Sequence, residues 1–372
     1  MKCVIISCFD VYENRCKGII NFYLQKNCDV TYLYSCFHHY TKSANKNNYE
    51  YGEKIQVPQY KKNLSLSRLY SHFVFSKSVR KRLEEIKPDI VYCIFPPNSL
   101  VREVIRYKKK NNSVKIIFDC YDLWPESLSL NKIPRPLRFP FTFWRFLRSR
   151  YLKFSDLVIT VSEEVKKSIK NEANGVDIRV LKPTLSKGDI PEYSFEIRDK
   201  ISFCYLGLVN NILDIDLCVD LLSSIAKHKK VDLHIIGKGQ NLDSFVNRLK
   251  EASVNVICHG CIFDMPGKNE VFSMCNLGLS LPKEEINSSM SLKSIEYMRA
   301  GLPFINAGMG DSVSIVEEGK VGINVDRENL DETVNKILNI RNDDLSEMHN
   351  NCKTVYEKYF LNQDLDEILK IK

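Results

Sequence analysis

Residues 288–308, SSMSLKSIEYMRAGLPFINAG, set a lysine and a glutamate, Lys293 and Glu296, three positions apart behind a serine cluster. Ser291 is placed to cap a short helix, Gly301 and Pro303 to end it, and Phe304-Ile305-Asn306 reads as the next strand. Lys293 then falls in the first turn, where the helix dipole disfavours a cation. An anion lying between its ammonium and the free N–H groups of that turn resolves the conflict. Glu296, one turn on and on the same face, reaches hydroxyls attached to such an anion. A phosphate on Lys293 with a sugar on Glu296 describes a nucleotide-sugar site; a surface ion pair at i, i+3 fits the same spacing.

Other groups are placed to join such a site. Gly207-Leu208-Val209-Asn210-Asn211 ends a strand in glycine shortly before a helix near Asp214. That is the form of a phosphate-binding turn, and equally of any closely packed α/β unit. Asp122 follows a strand-like run and precedes Leu123-Trp124-Pro125-Glu126. On spacing alone it is placed to cap a helix with Pro125 in its first turn and Glu126 near its N-terminus. Trp124 reads as core or cleft wall. Asp214-Ile215-Asp216 has a metal-binding D-x-D form, but it stands at a helix start and recurs at Asp364-Leu365-Asp366, so no metal is expected. Gly237-Lys238-Gly239 is half of a dinucleotide fingerprint and reads as a tight turn. Cys258-His259-Gly260-Cys261 lacks the second pair that a zinc site needs. The 13 cysteines, many inside apolar runs (Cys3, Cys93, Cys204), are expected to be reduced small hydrophobes.

The elements that carry these residues alternate along the chain. KCVIIS, VTYLYS, DIVYCIF, VKIIFD and DLVITVS are short β-rich runs, with helical spacing over 67–85 and 100–110. A polar stretch at 186–200 reads as a linker, after which ISFCYLG, VDLHIIG, VNVICHG, LGLSLP, PFINAG and VGINVD restart the pattern. Near-continuously apolar strands separated by helices imply parallel sheets covered on both faces. The predicted class is α/β, two doubly wound domains in tandem, with ligands at the strand ends.

At 372 residues and 44% hydrophobic, the chain is long enough for two such domains. No apolar run is long enough to span a bilayer, and MKCVIISCFDVY reads as a buried first strand, not a signal peptide, so a cytoplasmic protein is expected. Residues 1–185 hold 33 Lys+Arg against 17 Asp+Glu, whereas residues 186–372 hold 21 against 29. The first half is therefore built to meet something anionic. Residues 132–154, KIPRPLRFPFTFWRFLRSRYLKF, contain seven Lys/Arg, seven aromatics and no acid. This suits an interfacial helix among anionic headgroups, flanked by a second basic stretch at 61–82, and aromatic–basic interleaving also suits single-stranded nucleic acid. An ordinary amphipathic helix with its aromatics in the core has the same composition.

LKSIEYMRAGLPFINA resembles the donor-site motif of glycosyltransferase family 4, retaining enzymes of GT-B fold, and DLWPES at 122–127 resembles a signature of those that build bacterial surface polysaccharides. FSDLVITVSEEVKKSI, YLGLVNN and HIIGKG resemble further segments of the same family. The resemblance implies a GT-B arrangement of two Rossmann-like domains, 1–185 facing acceptor and membrane and 186–345 binding the nucleotide sugar, with 346–372 crossing back. It implies catalytic roles for Lys293 and Asp122, and donor binding by Ser291, Glu296, Gly207, Asn210 and Asn211. Arg138, Trp144, Arg145 and Arg148 are expected to face the membrane or acceptor. Neither metal nor cofactor is expected; the partners the resemblance implies are a nucleotide-sugar donor, UDP-linked, a glycan or lipid-linked acceptor, the inner membrane face rather than nucleic acid, and a protein partner or second copy. Three departures stand out: Ser288 occupies the place of an acid eight residues before Glu296, for which Glu284 or Glu285 is a substitute; the turn after Gly207 lacks Arg and Lys; and the loop at 7–18 lacks a double glycine. They keep two rivals open, a non-catalytic subunit beside an active transferase and a nucleotide-sugar epimerase.

Overall fold

The computed structural model describes residues 1–39, 41–63, 65–126, 139–184, 197, 200–284 and 290–371. The chain divides into two compact units, Met1–Thr184 together with Asp364–Lys372, and Leu185–Gln363.

In the first unit the apolar runs form β1 (Lys2–Ser7), β2 (Asp29–Ser35), β3 (Gly52–Ile55), β4 (Ile90–Phe95), β5 (Lys115–Cys120), β6 (Leu157–Thr160) and β7 (Ile178–Val180). They make one parallel sheet in the order β3-β2-β1-β4-β5-β6-β7. The short outer strands β3 and β7 carry too few apolar residues to stand out in the sequence. Helices α1 (Glu13–Gln25), α2 (Leu66–Ile86), α3 (Asn98–Lys108), α4 (Phe139–Ser149) and α5 (Glu163–Ala173) accompany the strands. Central residues such as Ile5, Val91, Tyr92, Ile117 and Phe118 are wholly buried, as strands covered on both faces must be. A buried ion pair pins α1 beneath the strand ends: Arg15 Nε meets Asp119 at 2.7 Å, Tyr92 donates to the same carboxylate at 2.5 Å, and Arg15 Nη2 donates to the Leu181 carbonyl at 2.8 Å. The segment at 7–18 is largely not a loop, since α1 begins at Glu13 and encloses Gly18.

The second unit repeats the design with β8 (Lys200–Leu206), β9 (Lys230–Ile236), β10 (Asn255–Gly260), β11 (Leu277–Ser280), β12 (Phe304–Asn306) and β13 (Gly322–Asn324), parallel throughout in the order β10-β9-β8-β11-β12-β13. Along β8, Ile201, Phe203 and Tyr205 enter one apolar core while Cys204 and Leu206 enter another, the period-two signature of a sheet buried on both faces. Its helices are α6 (Ile215–Ala226), α7 (Leu242–Glu251), α8 (Met265–Ser273), α9 (Leu292–Ala300), α10 (Asp311–Gly319), α11 (Leu330–Leu338) and α12 (Asn342–Tyr356). The stretch expected to cross back as one helix, 346–372, is divided. Cys352, Val355, Tyr356 and Phe360 belong to a core of the second unit, whereas α13 (Leu365–Ile368) and Leu369 pack on the first.

In each sheet the strand order reverses once, between β1 and β4 and between β8 and β11. The crevice outside the carboxyl ends at such a reversal is where doubly wound sheets bind ligands.

Candidate active site

At the β8/β11 reversal stands α9. Ser291 caps it, its Oγ accepting from Ser294 N–H at 3.2 Å, and Gly301 ends it in the left-handed region at φ 77°. The Ser280, Ser291 and Ser294 hydroxyls form a closed triangle with edges of 2.8–3.1 Å, fixing the cap to the end of β11. Leu292 and Lys293 N–H, in the first turn, have no partner among the described residues, as expected for orphan donors at a helix start. Tyr297 sets the height of the helix: its hydroxyl accepts from Leu206 N–H at 2.8 Å and lies 3.1 Å from the Cys204 carbonyl, joining α9 to the end of β8.

Lys293 is held against the Tyr205 ring, its Nζ 4.6 Å from the centroid and 3.5 Å from the hydroxyl. No carboxylate lies within ion-pairing distance among the described residues. Burial therefore pulls its pKa down to about 8, slightly offset by the Cys218 thiol. The ammonium lies under the Gly207 turn, 3.9 Å from where a β-carbon on that glycine would be. A buried ammonium without a carboxylate partner, on a helix whose first-turn N–H groups are also unpaired among the described residues, makes this end of α9 a candidate place for an anion.

The turn itself is built from close backbone contact. Gly207 has φ 134°, which favours glycine. A β-carbon on Gly237 would stand 1.9 Å from the Gly207 carbonyl oxygen, and one on Gly239 would stand 2.0 Å from that of Val209. Gly207 N–H donates to Ile236 and Val209 N–H to Lys238, both at 2.9 Å, so the two loops lie zipped together. The HIIGKG tight turn thus serves the neighbouring loop. Leu208, Asn210, Asn211, Ile212, Lys238 and Gly239 line an open depression of about 620 Å³. Asn210 Oδ1 accepts from Ile212 N–H at 2.9 Å and Asn211 Oδ1 from Asn241 at 3.3 Å, so both amides shape the turn. Lys238 brings a basic group that the Gly207 turn itself lacks.

Glu296 does not pair with Lys293. Its carboxylate meets Lys268 Nζ of α8 at 2.6 Å, with both side chains mostly buried. Sequence reasoning missed Lys268, although Asp264-Met265-Pro266 is a legible helix start and Asp264 does cap α8. The D-x-D residues are otherwise engaged: Asp214 caps α6 and meets Arg327 at 2.7 Å, and Asp216 meets Arg248 at 2.7 Å. Ser288 and Glu285 lie outside the described residues.

In the first unit Asp122 follows β5, half-buried, with its charge felt by Tyr12 and Arg68. Residues 124–126 form a turn, so Pro125 does not occupy a helical first turn, and Glu126 is drawn instead to Arg148 at 2.7 Å. The membrane-facing set needs correction. Arg148 is 1% exposed, clamped between Glu126 and Glu172 and donating to the Trp124 carbonyl at 3.1 Å. Trp144 is buried edge-on against Trp124, 5.6 Å between centroids. Both lie on the inner face of α4 because that face meets two carboxylates and an aromatic core. Arg145 is exposed but paired with the same two glutamates. Arg138 lies outside the described residues. The outward stripe of α4 is Phe139, Phe143 and Phe146, with Arg150 just beyond.

Residues 13–184 match the family model described as Glycosyltransferase Family 4, and residues 200–343 that described as Glycosyl transferases group 1. Comparison with curated protein sequences finds no match. Among solved structures, sucrose-phosphate synthase from Thermosynechococcus elongatus superposes with a TM-score of 0.70 at 12% identity, covering 97% of this chain and 95% of that one. The lipopolysaccharide outer core galactosyltransferase WaaB gives 0.66 at 18%, covering 97% and 96%. Anabaena HepE in complex with UDP-glucose gives 0.65 at 15%, covering 99% of each chain. At these identities the likeness is one of fold, two Rossmann-like domains of the GT-B type. With both halves matched by glycosyltransferase models, the chain belongs to the family 4 type of GT-B glycosyltransferases.

Proposed function

We propose that the protein transfers a hexose, with retention and without a metal, from a UDP-linked donor to a lipid-linked or growing glycan in capsule, O-antigen or exopolysaccharide synthesis. The observation that carries the donor reading is Lys293, a mostly buried ammonium with no carboxylate partner among the described residues, beside the open N–H groups of α9. Departure of a nucleoside diphosphate loads negative charge where these groups converge, and preorganised donors stabilise that charge in the transition state. Lys238 adds a second cation from the adjacent loop. Glu296, oriented by Lys268, takes the ribose hydroxyls. The acceptor hydroxyl passes its proton to the departing phosphate, so paired carboxylates are not required, and Asp122 contacts acceptor or donor sugar. HepE, solved with UDP-glucose, supports the choice of base. The aromatic stripe of α4, with Arg150, Lys153 and Lys109 near it, supports contact with an anionic membrane.

The test is a thermal-shift series with UDP, GDP, ADP, CMP and dTDP on wild type and Glu296→Ala, followed by transfer assays in EDTA. UDP at a hundred times its Kd contributes about 2.7 kcal/mol, a resolvable shift, and the variant loses it. A shift with no nucleotide would favour the non-catalytic subunit, and activity abolished by EDTA would overturn metal independence.

A further inference from the structure

Outside the donor site one cation stands out. Arg68, in the first turn of α2, is 8% exposed, and no Asp or Glu lies within ion-pairing distance of it among the described residues. Its neighbours are neutral: Nη1 donates to the Asn63 carbonyl at 2.9 Å, Nε approaches His72 Nε2 at 3.4 Å, and the guanidinium lies 4.9 Å from the Trp124 ring centroid, 5.6 Å from Phe9 and 6.0 Å from Tyr60. His72 is kept neutral by burial and by Arg68 itself. Asp10, the nearby acid on the β1 side, is already bonded to His38 at 3.1 Å and to His39 N–H at 2.7 Å. Asp122, half-buried, lends its charge only from beyond ion-pairing distance, so the guanidinium is stripped of water without a directly paired carboxylate, which is costly unless a ligand supplies a closer counter-charge.

Beside it lies an apolar slot of about 270 Å³ walled by Leu66, Leu69, Trp124, Phe141 and Trp144. Asn63 and Trp124 line this slot and also meet the guanidinium: the Asn63 carbonyl accepts from Nη1 and the Trp124 ring faces it, while Ser65, another wall residue, caps α2 by accepting from the Arg68 backbone N–H. The slot therefore adjoins the guanidinium through Asn63 and Trp124, and its volume admits a single chain segment.

We propose that Arg68 and this slot bind a single-chain lipid phosphate, the phosphate on the guanidinium and the first chain carbons along the slot wall formed by Leu66, Leu69, Phe141 and the two tryptophans. The Arg fork matches phosphate oxygens, and an apolar tail alone would leave the charge uncompensated. The lipid's role as acceptor carrier rests on the transfer reading; the site does not.

The chain contains two tryptophans, and both wall the slot, so intrinsic fluorescence reports on it directly. Farnesyl phosphate, below its micellar concentration, should produce a saturable change, with farnesol, laurate and inorganic phosphate each binding at least tenfold more weakly. Arg68→Gln should weaken farnesyl phosphate at least tenfold, about 1.4 kcal/mol, while keeping the UDP-induced melting shift. Leu66→Glu, at a position 82% exposed and so safe for folding, should do the same by placing a carboxylate at the slot. Unchanged binding in both variants, farnesol or laurate binding as tightly as the phosphate, or no saturable signal would each overturn the proposal. Farnesyl phosphate binding without any UDP shift would instead sink the donor reading alone.

Discussion

Burial pulls the Lys293 pKa down to about 8, so raising the pH from 7 to 9 should strip the proposed donor site of its main charge. The ammonium falls from about nine-tenths to about one-tenth populated over that interval, and a ligand that needs it loses about tenfold in affinity, or about 1.4 kcal/mol. Calorimetric titration with UDP-glucose is the suitable assay, since its two phosphates carry no titrating proton in this range. Lys293→Arg keeps its charge throughout and should give a flat profile. Lys293→Met should bind poorly at both pH values and yet be more stable without ligand. The sign follows from the direction of the shift: the folded pKa lies below the unfolded one, so burying the charged lysine costs stability fully below pH 8. That cost, roughly 3 kcal/mol at about 1.4 per unit, is relieved as the pH rises toward 10.4, and the methionine removes it altogether. A wild-type affinity that stays constant from pH 7 to 9, or an arginine variant with the same slope, would refute the assignment.

Gly239→Ala should cost about 1–3 kcal/mol and weaken UDP together with stability, because its β-carbon would stand 2.0 Å from the Val209 carbonyl oxygen; thermal melts with and without UDP check both. Arg148→Ala leaves Glu126 and Glu172 without their buried partner and should destabilise by about 3–5 kcal/mol in urea unfolding, a loss under about 1 kcal/mol contradicting the clamp. Replacing Phe139, Phe143 and Phe146 together by Ser should abolish co-sedimentation with vesicles rich in phosphatidylglycerol while leaving the melting temperature within a few degrees, as those side chains face solvent.

What could be read from the sequence was local or periodic. The strand runs declared themselves because both faces of each sheet are covered, and Ser291 and Gly301 because capping chemistry depends on nearest neighbours. What could not be read required knowledge of what lies opposite. The i, i+3 spacing of Lys293 and Glu296 permits a pair, but Lys268, 28 residues upstream, takes the glutamate and Tyr205 faces the lysine. The basic–aromatic composition of α4 was plain, yet it cannot say which side turns inward, and Trp144 and Arg148 went in because Glu126 and Glu172 await there. Arg68 went unnoticed within an ordinary basic stretch, since isolation of a charge is visible only once its neighbours are placed.

The last described residues carry a consequence for biogenesis. Leu369 is buried in the first unit's core, and Leu365, Ile368 and Ile371 pack against it, although the whole second unit is made in between. Emerging from the ribosome, the first unit must wait with part of its apolar surface uncovered while some 180 further residues are translated. The Lys26–Asp366 contact and the bond from Arg179 to the Ile368 carbonyl close it only then. A ribosome stalled anywhere in the second unit would leave that apolar surface of the first unit uncovered.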